Sequence, residues 1–123
     1  MIECDRHGLS FASRCCTHVR AAVDASVPLG TKAYVDGFTD PHHLCADCAA
    51  IVEAWVAAYR AGTLSPEEPS YSESAVCFHH INEWYRATGL GELSLAVAEA
   101  RKRRAELEAD HDAALEEQGK ARP

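Results

Sequence analysis

The chain has 123 residues, with 12 basic and 19 acidic side chains that give a formal net charge of −7. This length fits one domain and leaves no room for a separate catalytic domain. Residues 1–91 carry 6 basic against 11 acidic side chains, which argues against a surface for the phosphate backbone of a nucleic acid.

The first 18 residues contain two C-x2-H motifs, Cys4 to His7 and Cys15 to His18. Each motif is typical of a zinc knuckle, a tight turn that carries two metal ligands. Gly8 suits such a turn, because glycine tolerates the positive φ that brings backbone amides toward a thiolate. A short extended segment, Leu9 to Ser13, is expected between the knuckles.

Residues 19–44 are expected to be looser. Thr31 to Val35 is the one candidate strand there, because turn signals frame it on both sides. Asp40 and Pro41 are expected to end extended structure before the third ligand pair, Cys45 and Cys48.

Three helices are predicted from residue 44 onward. Helical spacing of apolar residues predicts the first from Leu44 to about Ala61, with Gly62 as its C′ residue. A surface loop, Thr63 to Ser74, should precede a second helix that runs from about Ser74 or Ala75 to Ala87 and buries Trp84 and Tyr85 on one side. The third, from Leu93 to about Gln118, carries a heptad-like stripe.

That stripe is formed by Leu93, Val97, Ala100, Leu107 and Ala114, and the polar residues Arg104 and His111 interrupt it. Two interpretations follow: a solvated helix with a charged surface, or a helix that dimerises or docks on a partner. We therefore divide the chain into a two-zinc domain at 1–91 and a C-terminal helix with a short tail at 92–123.

Four ligand pairs at the same spacing dominate the sequence. Their eight side chains suffice for two four-coordinate zinc ions. A disulfide framework is the weaker alternative, because it requires an oxidising compartment and does not explain histidines at this spacing. The pairs are Cys4 with His7, Cys15 with His18, Cys45 with Cys48, and Cys77 with His80.

The four pairs can share two zincs as neighbours, as alternates or in a nested order. Two pairs are expected to open helices, where free amides and the helix dipole stabilise thiolates. A knuckle completed by a helix start is the treble-clef arrangement, and it excludes pairing of sequence neighbours. It leaves the alternate and nested orders open.

The opening motif, Cys4-Asp-Arg-His7-Gly followed by Cys15-Cys16-Thr-His18, resembles the first half of a B-box over about 15 residues. In B-box and RING domains, alternate pairs share a zinc in a cross-brace. The resemblance thus implies one zinc on Cys4, His7, Cys45 and Cys48, and a second zinc on Cys15, His18, Cys77 and His80. Over about 85 residues the pattern is also similar to small bacterial two-zinc proteins of uncharacterised function.

Several residues near the motifs are left over. Cys16 is interpreted as a small buried hydrophobe, with the alternative that it replaces Cys15 as the ligand. His79 could exchange with His80. His42 and His43 are expected beside the metal ligands or in solvent rather than as ligands themselves. A histidine-centred nuclease site built from them and Asn82 is not expected, because nothing in the spacing requires it.

The predicted fold is a small α+β zinc-binding domain with short β-hairpin elements, two short helices and a long C-terminal helix. Its predicted function is to bind another protein, through the Trp84/Tyr85 edge or the C-terminal helix, with a homodimer through that helix kept open. A nucleic-acid-associated finger using Arg101 to Arg104, with Arg86 nearby, is the alternative, and a metal-dependent hydrolase is a weaker one.

Catalysis is not expected, because saturated zincs leave no position for water. Without an apolar signal segment or a span of about 20 apolar residues, a cytoplasmic protein is expected.

Overall fold

The computed structural model describes residues 1–63 and 69–119, in which six strands and four helices form an α+β fold. This confirms the predicted fold class in its coarse form. A hairpin of β1 (Ile2–Cys4) and β2 (Gly8–Ser10) stands apart from a four-stranded sheet. The sheet contains β3 (Ala12–Cys16), β4 (Lys32–Val35), β5 (Pro41–Leu44) and β6 (Glu73–Cys77). The helices are α1 (Thr17–Ala25), α2 (Ala46–Arg60), α3 (Phe78–Ala87) and α4 (Leu93–Glu117).

The four-stranded sheet has the order β4-β5-β3-β6. Strands β3 and β5 are parallel, with Cys15 opposite His43, so that both strands end at the same edge of the sheet. Strand β6 runs antiparallel to β3 and pairs Cys77 with Ala12. The end of β6 therefore lies at the opposite edge, beside the start of β3.

Three elements were not expected from the sequence. Helix α1 follows β3 directly and ends at Ala25, and its C-cap Ser26 has a left-handed φ of 56°. Strand β5 begins at Pro41, where we expected extended structure to stop. Proline fits there because it is the first residue of the strand. Strand β6 occupies the start of the second predicted helix, so that α3 begins at Phe78 rather than at Ser74 or Ala75.

The predictions for α2 and α4 agree with the structure to within two residues. Helix α2 ends at Arg60, and Gly62 follows with a φ of 98°, which confirms its predicted place just beyond the helix. Of the predicted loop from Thr63 to Ser74, residues 64–68 lie outside the described part of the chain.

The core consists largely of small apolar and cysteine side chains around Leu44, Ile81 and the aromatic residues Trp84 and Tyr85. Trp84 is 4% exposed and Tyr85 2%, so the helix edge they form faces the core. The indole N–H of Trp84 donates to the carbonyl oxygen of Val27 at 2.8 Å. The edge predicted as a partner surface is therefore an internal contact.

Helix α4 packs on β4, α2 and α3, and much of the predicted stripe is buried within the chain. Leu93, Ala100 and Leu107 are each at most 3% exposed. His111, which was expected to interrupt the stripe, is also buried, and it stacks on Tyr59 with ring centroids 3.7 Å apart. Within the described residues, no helix is both long and apolar enough to cross a membrane.

Candidate metal centres

Two clusters of cysteine and histidine side chains lie at opposite edges of the sheet, and each could hold a metal ion. We call them site A and site B. Site A contains Cys4, His7 and Cys77. Site B contains Cys16, His18, Cys45 and Cys48.

Site B is formed where two helices start. The parallel strands β3 and β5 end side by side, and each continues into a helix whose N-cap is a cysteine. Cys16 caps α1 and Cys45 caps α2, while His18 and Cys48 lie in the first turns. The parallel register thus brings all four side chains together.

Backbone amides from both helices point at the sulfur atoms of site B. Cys16 Sγ accepts from the N–H of Val19 at 3.4 Å and from that of Cys45 at 3.3 Å. Cys45 Sγ accepts from the N–H of Cys48 at 3.5 Å. Amides and the positive ends of two helix dipoles favour negative charge on these sulfurs.

The pKa values of the thiols in site B are shifted in different directions, so the thiols do not all ionise without a bound cation. Burial raises the pKa of Cys45, but the backbone amide of Cys48 and the neighbouring thiols outweigh it and hold that pKa below its ordinary value. Burial, followed by the Cys45 thiol, raises the pKa of Cys48 to about 12. Three converging thiolates repel one another, so a bound cation is what would let all of them ionise together.

Site A joins the β1–β2 turn to the start of α3. Cys4 and His7 flank the turn, and Cys77 is the last residue of β6. His7 Nδ1 lies 3.5 Å from Cys4 Sγ and 3.6 Å from Cys77 Sγ. The His7 ring, and next the backbone N–H of Arg6, lower the pKa of Cys4 to about 6.

Two further side chains orient the ligands of site A. His7 Nε2 lies 3.0 Å from Glu83 Oε1, so the ring donates to this carboxylate and directs Nδ1 toward the two sulfurs. Ser10 Oγ donates to Cys77 Sγ at 3.0 Å. Glu83 and Ser10 were missed in the sequence, because they lie 76 and 67 positions from their partners and no local spacing marks them.

His80 lies near site A without being part of the cluster. Its ring centroid is 6.2 Å from that of His7, and the exposed His79 ring is at 5.4 Å. Cys77 and His80 were predicted to act as one pair, and both face this edge of the sheet. Both histidine rings therefore lie close to the ligands of site A without belonging to the cluster.

The grouping of the ligands differs from the predicted cross-brace. Cys4 and His7 lie with Cys77 and not with Cys45 and Cys48, so the order is nested. The reason is the topology of the sheet, because β3 and β5 run in parallel while β6 returns to the start of β3. The nested order was one of the two that the spacing left open.

The ligand beside His18 also differs from the prediction, since Cys16 lies in site B and Cys15 does not. Adjacent residues of a strand point to opposite faces, so only one of them can reach the site. Cys15 is fully buried in the core, and this burial raises its pKa to about 12. What separates Cys15 from the ligands is its position and not its pKa, because the pKa of Cys48 is equally high and Cys48 still lies in site B.

His42 and His43 point to opposite faces of β5 and therefore do not form a shared site. His42 bonds Asp36 at 2.7 Å and Tyr71 at 2.5 Å. Burial raises the pKa of Asp36, but the bonds from His42 and from the amides of residues 40 and 38 outweigh it and hold that pKa below its ordinary value. Burial, followed by the charge of His42, lowers the pKa of His43 to about 4.

Comparison with known proteins adds no relative: no protein-family model, no curated protein and no solved structure matches this chain significantly. The resemblance to B-box and RING domains therefore gains no support from homology. The two clusters and the surface around them are therefore the features from which function is inferred.

Proposed function

We propose that the protein is a structural two-zinc domain that binds another protein and has no catalytic activity of its own. The observation that carries the metal assignment is the spacing of sulfur and nitrogen in both clusters. His18 Nδ1 lies 3.5 Å from both Cys45 Sγ and Cys48 Sγ, and His7 Nδ1 is 3.5 and 3.6 Å from its two sulfurs.

These distances match a tetrahedral zinc site. With Zn–S of about 2.3 Å and Zn–N of about 2.0–2.1 Å, a tetrahedral angle separates sulfur from nitrogen by about 3.6 Å. An N–H shared between two sulfurs makes two poorly aligned hydrogen bonds, so a metal ion bound by all three atoms is the better explanation of the equal distances. Thiolate-rich sites of this composition favour zinc over magnesium or calcium, which prefer oxygen ligands.

Site B offers four protein ligands, which is the closed coordination of a structural zinc. At site A we propose that His80 supplies the fourth ligand and that Glu83 orients His7 through the ring nitrogen Nε2, which faces away from the sulfurs. Both zincs would then lack a position for an activated water, which supports a role without catalysis.

An exposed apolar patch beside site A supports protein binding. Leu9 is 69% exposed, Phe11 74% and Phe78 42%. The N–H of Phe78 donates to the carbonyl oxygen of Phe11 at 2.9 Å, so the two aromatic residues are neighbours. We call Leu9, Phe11 and Phe78 the hairpin patch, and we propose it as the docking surface in place of the buried Trp84 edge.

The nucleic-acid alternative loses support because three of its four arginines, Arg86, Arg103 and Arg104, are engaged within the chain. Arg103 donates to the carbonyl oxygen of Ala33 at 2.9 Å, and Arg104 pairs with Glu108 at 2.6 Å. Arg86 forms an ion pair with Glu92. Retention on heparin that weakens steeply with salt would reverse this conclusion.

The experiment that tests the proposal uses the zinc-loaded protein with a photoreactive phenylalanine in place of Phe11. Native mass spectrometry should first find two zinc ions per chain. In cells of the native host, this variant should crosslink to one discrete partner. The control carries the same group at Ala113, an exposed position on α4.

The two positions distinguish the outcomes. Identical crosslinking from Phe11 and Ala113 would refute the hairpin patch as a docking surface. A zinc count other than two would refute the metal assignment. A crosslinked species of twice the chain mass would show that the partner is a second copy of this chain.

A further inference from the structure

A cleft of about 490 Å³ lies at the edge of the sheet where β3 and β5 begin, beneath the first turns of α4. This volume is within the range of about 300–1,000 Å³ that is typical of small-molecule sites. The cleft is separate from the ligand clusters, because none of their side chains lines it. It is lined by Ser13, Arg14, Phe78, Leu93, Val97 and Arg101, among other residues.

One wall of the cleft is apolar. Phe78 keeps 42% of its surface exposed, while Leu93, which also lines the cleft, is 2% exposed. Val97, one helical turn after Leu93, is half-buried on the same side of α4. An exposed aromatic ring together with aliphatic side chains offers apolar area that a ligand could cover.

Two arginines line the cleft, and they differ in whether acidic side chains neutralise their charge. Arg14 is matched by Asp36 at 3.4 Å, by Asp40 at 3.7 Å and by Glu73. Arg101 is exposed, and it makes no ion pair or hydrogen bond within residues 1–63 and 69–119. In a chain with a net charge of −7, this cation is available to an anionic ligand.

A buried polar group borders the same cleft. His43 is 1% exposed, and its Nδ1 is the one buried side-chain nitrogen or oxygen without a hydrogen-bond partner in the described chain. Its ring packs edge-on against Tyr85, with centroids 5.8 Å apart. Unpaired buried polar atoms are uncommon and costly.

We propose that this cleft binds a small organic monoanion, a carboxylate carried on an apolar chain or ring. The carboxylate pairs with Arg101, whose planar guanidinium matches two carboxylate oxygens. The apolar part lies against Phe78 and Val97. A single negative charge is specified because Asp40 also borders the cleft and repels a dianion.

The test compares octanoate with 1-octanol, two probes that share a chain length and differ in the charge of the head group. Binding to the zinc-loaded protein is followed by amide chemical shifts in two-dimensional NMR. Octanoate should bind about tenfold more tightly than 1-octanol, and the shifts should centre on residues 12–14, 78 and 93–101. Equal affinities for the two probes, or shifts elsewhere, overturn the proposal.

Two variants locate the charge. Arg101→Gln should reduce octanoate affinity about tenfold and leave that of 1-octanol unchanged. Lys102→Gln is the matched control, since it removes one charge from the adjacent exposed position and should change neither affinity. Equal losses in both variants would mean general attraction by the basic segment and would refute the site.

Two further variants locate the apolar wall. Val97→Trp should fill the cleft and abolish binding of both probes. Ser94→Leu gives the same obstruction from an exposed position, with less risk to folding. Unchanged binding of octanoate in a folded Val97→Trp or Ser94→Leu protein would show that the ligand does not enter the cleft.

Discussion

The sharpest test of site B compares two adjacent cysteines, Cys15 and Cys16. Both are fully buried, so Cys15→Ala and Cys16→Ala remove the same atom from environments of equal exposure. Their loss from the core should therefore cost similar free energy. Only Cys16 lies among the ligands of site B, so the two variants should differ in metal binding.

The expected size of that difference follows from the energetics of structural zinc. Apparent binding free energies of about 10–16 kcal/mol, divided over four ligands, assign about 2.5–4 kcal/mol to each ligand. Loss of Cys16 should therefore weaken zinc at site B by about two to three powers of ten. Cys15→Ala should leave the zinc affinity of site B within a few-fold of the unmodified protein.

The assay is competition with a chromophoric zinc chelator, which resolves the two sites by affinity. Cobalt substitution provides a second readout, because the sulfur-to-cobalt absorption increases with the number of thiolate ligands. Circular dichroism checks that both alanine variants remain folded. If Cys15→Ala lost a metal ion and Cys16→Ala retained two, the assignment of site B would be wrong and the original spacing would be right.

Two further predictions concern the metals together and the carboxylate behind site A. Removal of zinc by a strong chelator should unfold the protein. The contribution of the bound metal to the free energy of unfolding equals or exceeds the net stability of about 5–15 kcal/mol that a domain usually has. A circular dichroism spectrum that is unchanged after complete removal of zinc would contradict this. Glu83→Gln should weaken zinc at site A by about 10–100-fold and leave site B unchanged, because it removes the charged partner of His7 Nε2. The matched control is Glu53→Gln, whose carboxylate pairs with Lys32 away from both sites. Equal effects of the two glutamine variants in the competition assay would refute the role of Glu83.

The sequence was most informative where a local pattern is complete. Helices α2 and α4 were predicted because apolar residues recur at helical spacing over 15 and 25 residues. Helix α1 was missed because its nine residues include few large apolar side chains, and its start is capped by Cys16 rather than by a serine or aspartate. Strand β6 was missed because its five residues continue directly into α3, and their apolar positions also fit a helix.

Six of the eight predicted ligands lie in the two clusters, while Cys16 stands in place of Cys15 and His80 lies outside. The division of the ligands between two sites was not readable from the sequence. Spacing of three residues identifies a pair that shares a metal, since both side chains then lie on one turn. It carries no information about which pairs meet, because that depends on strand order and direction. Whether Cys16 or Cys15 faces site B depends on the register of the strand. A shift of one residue moves every side chain of the strand to the other face of the sheet.

Strand β3 connects the two sites, and this gives them different structural roles. Its last residue, Cys16, is part of site B, while its first residue, Ala12, pairs with Cys77 of site A. Site B holds together the starts of α1 and α2, whose buried residues Val19, Val23 and Val52 belong to the main core. Site A instead attaches the exposed β1–β2 hairpin to α3. Loss of zinc from site B should therefore affect the whole fold, whereas loss from site A should chiefly release the hairpin and, with it, part of the hairpin patch.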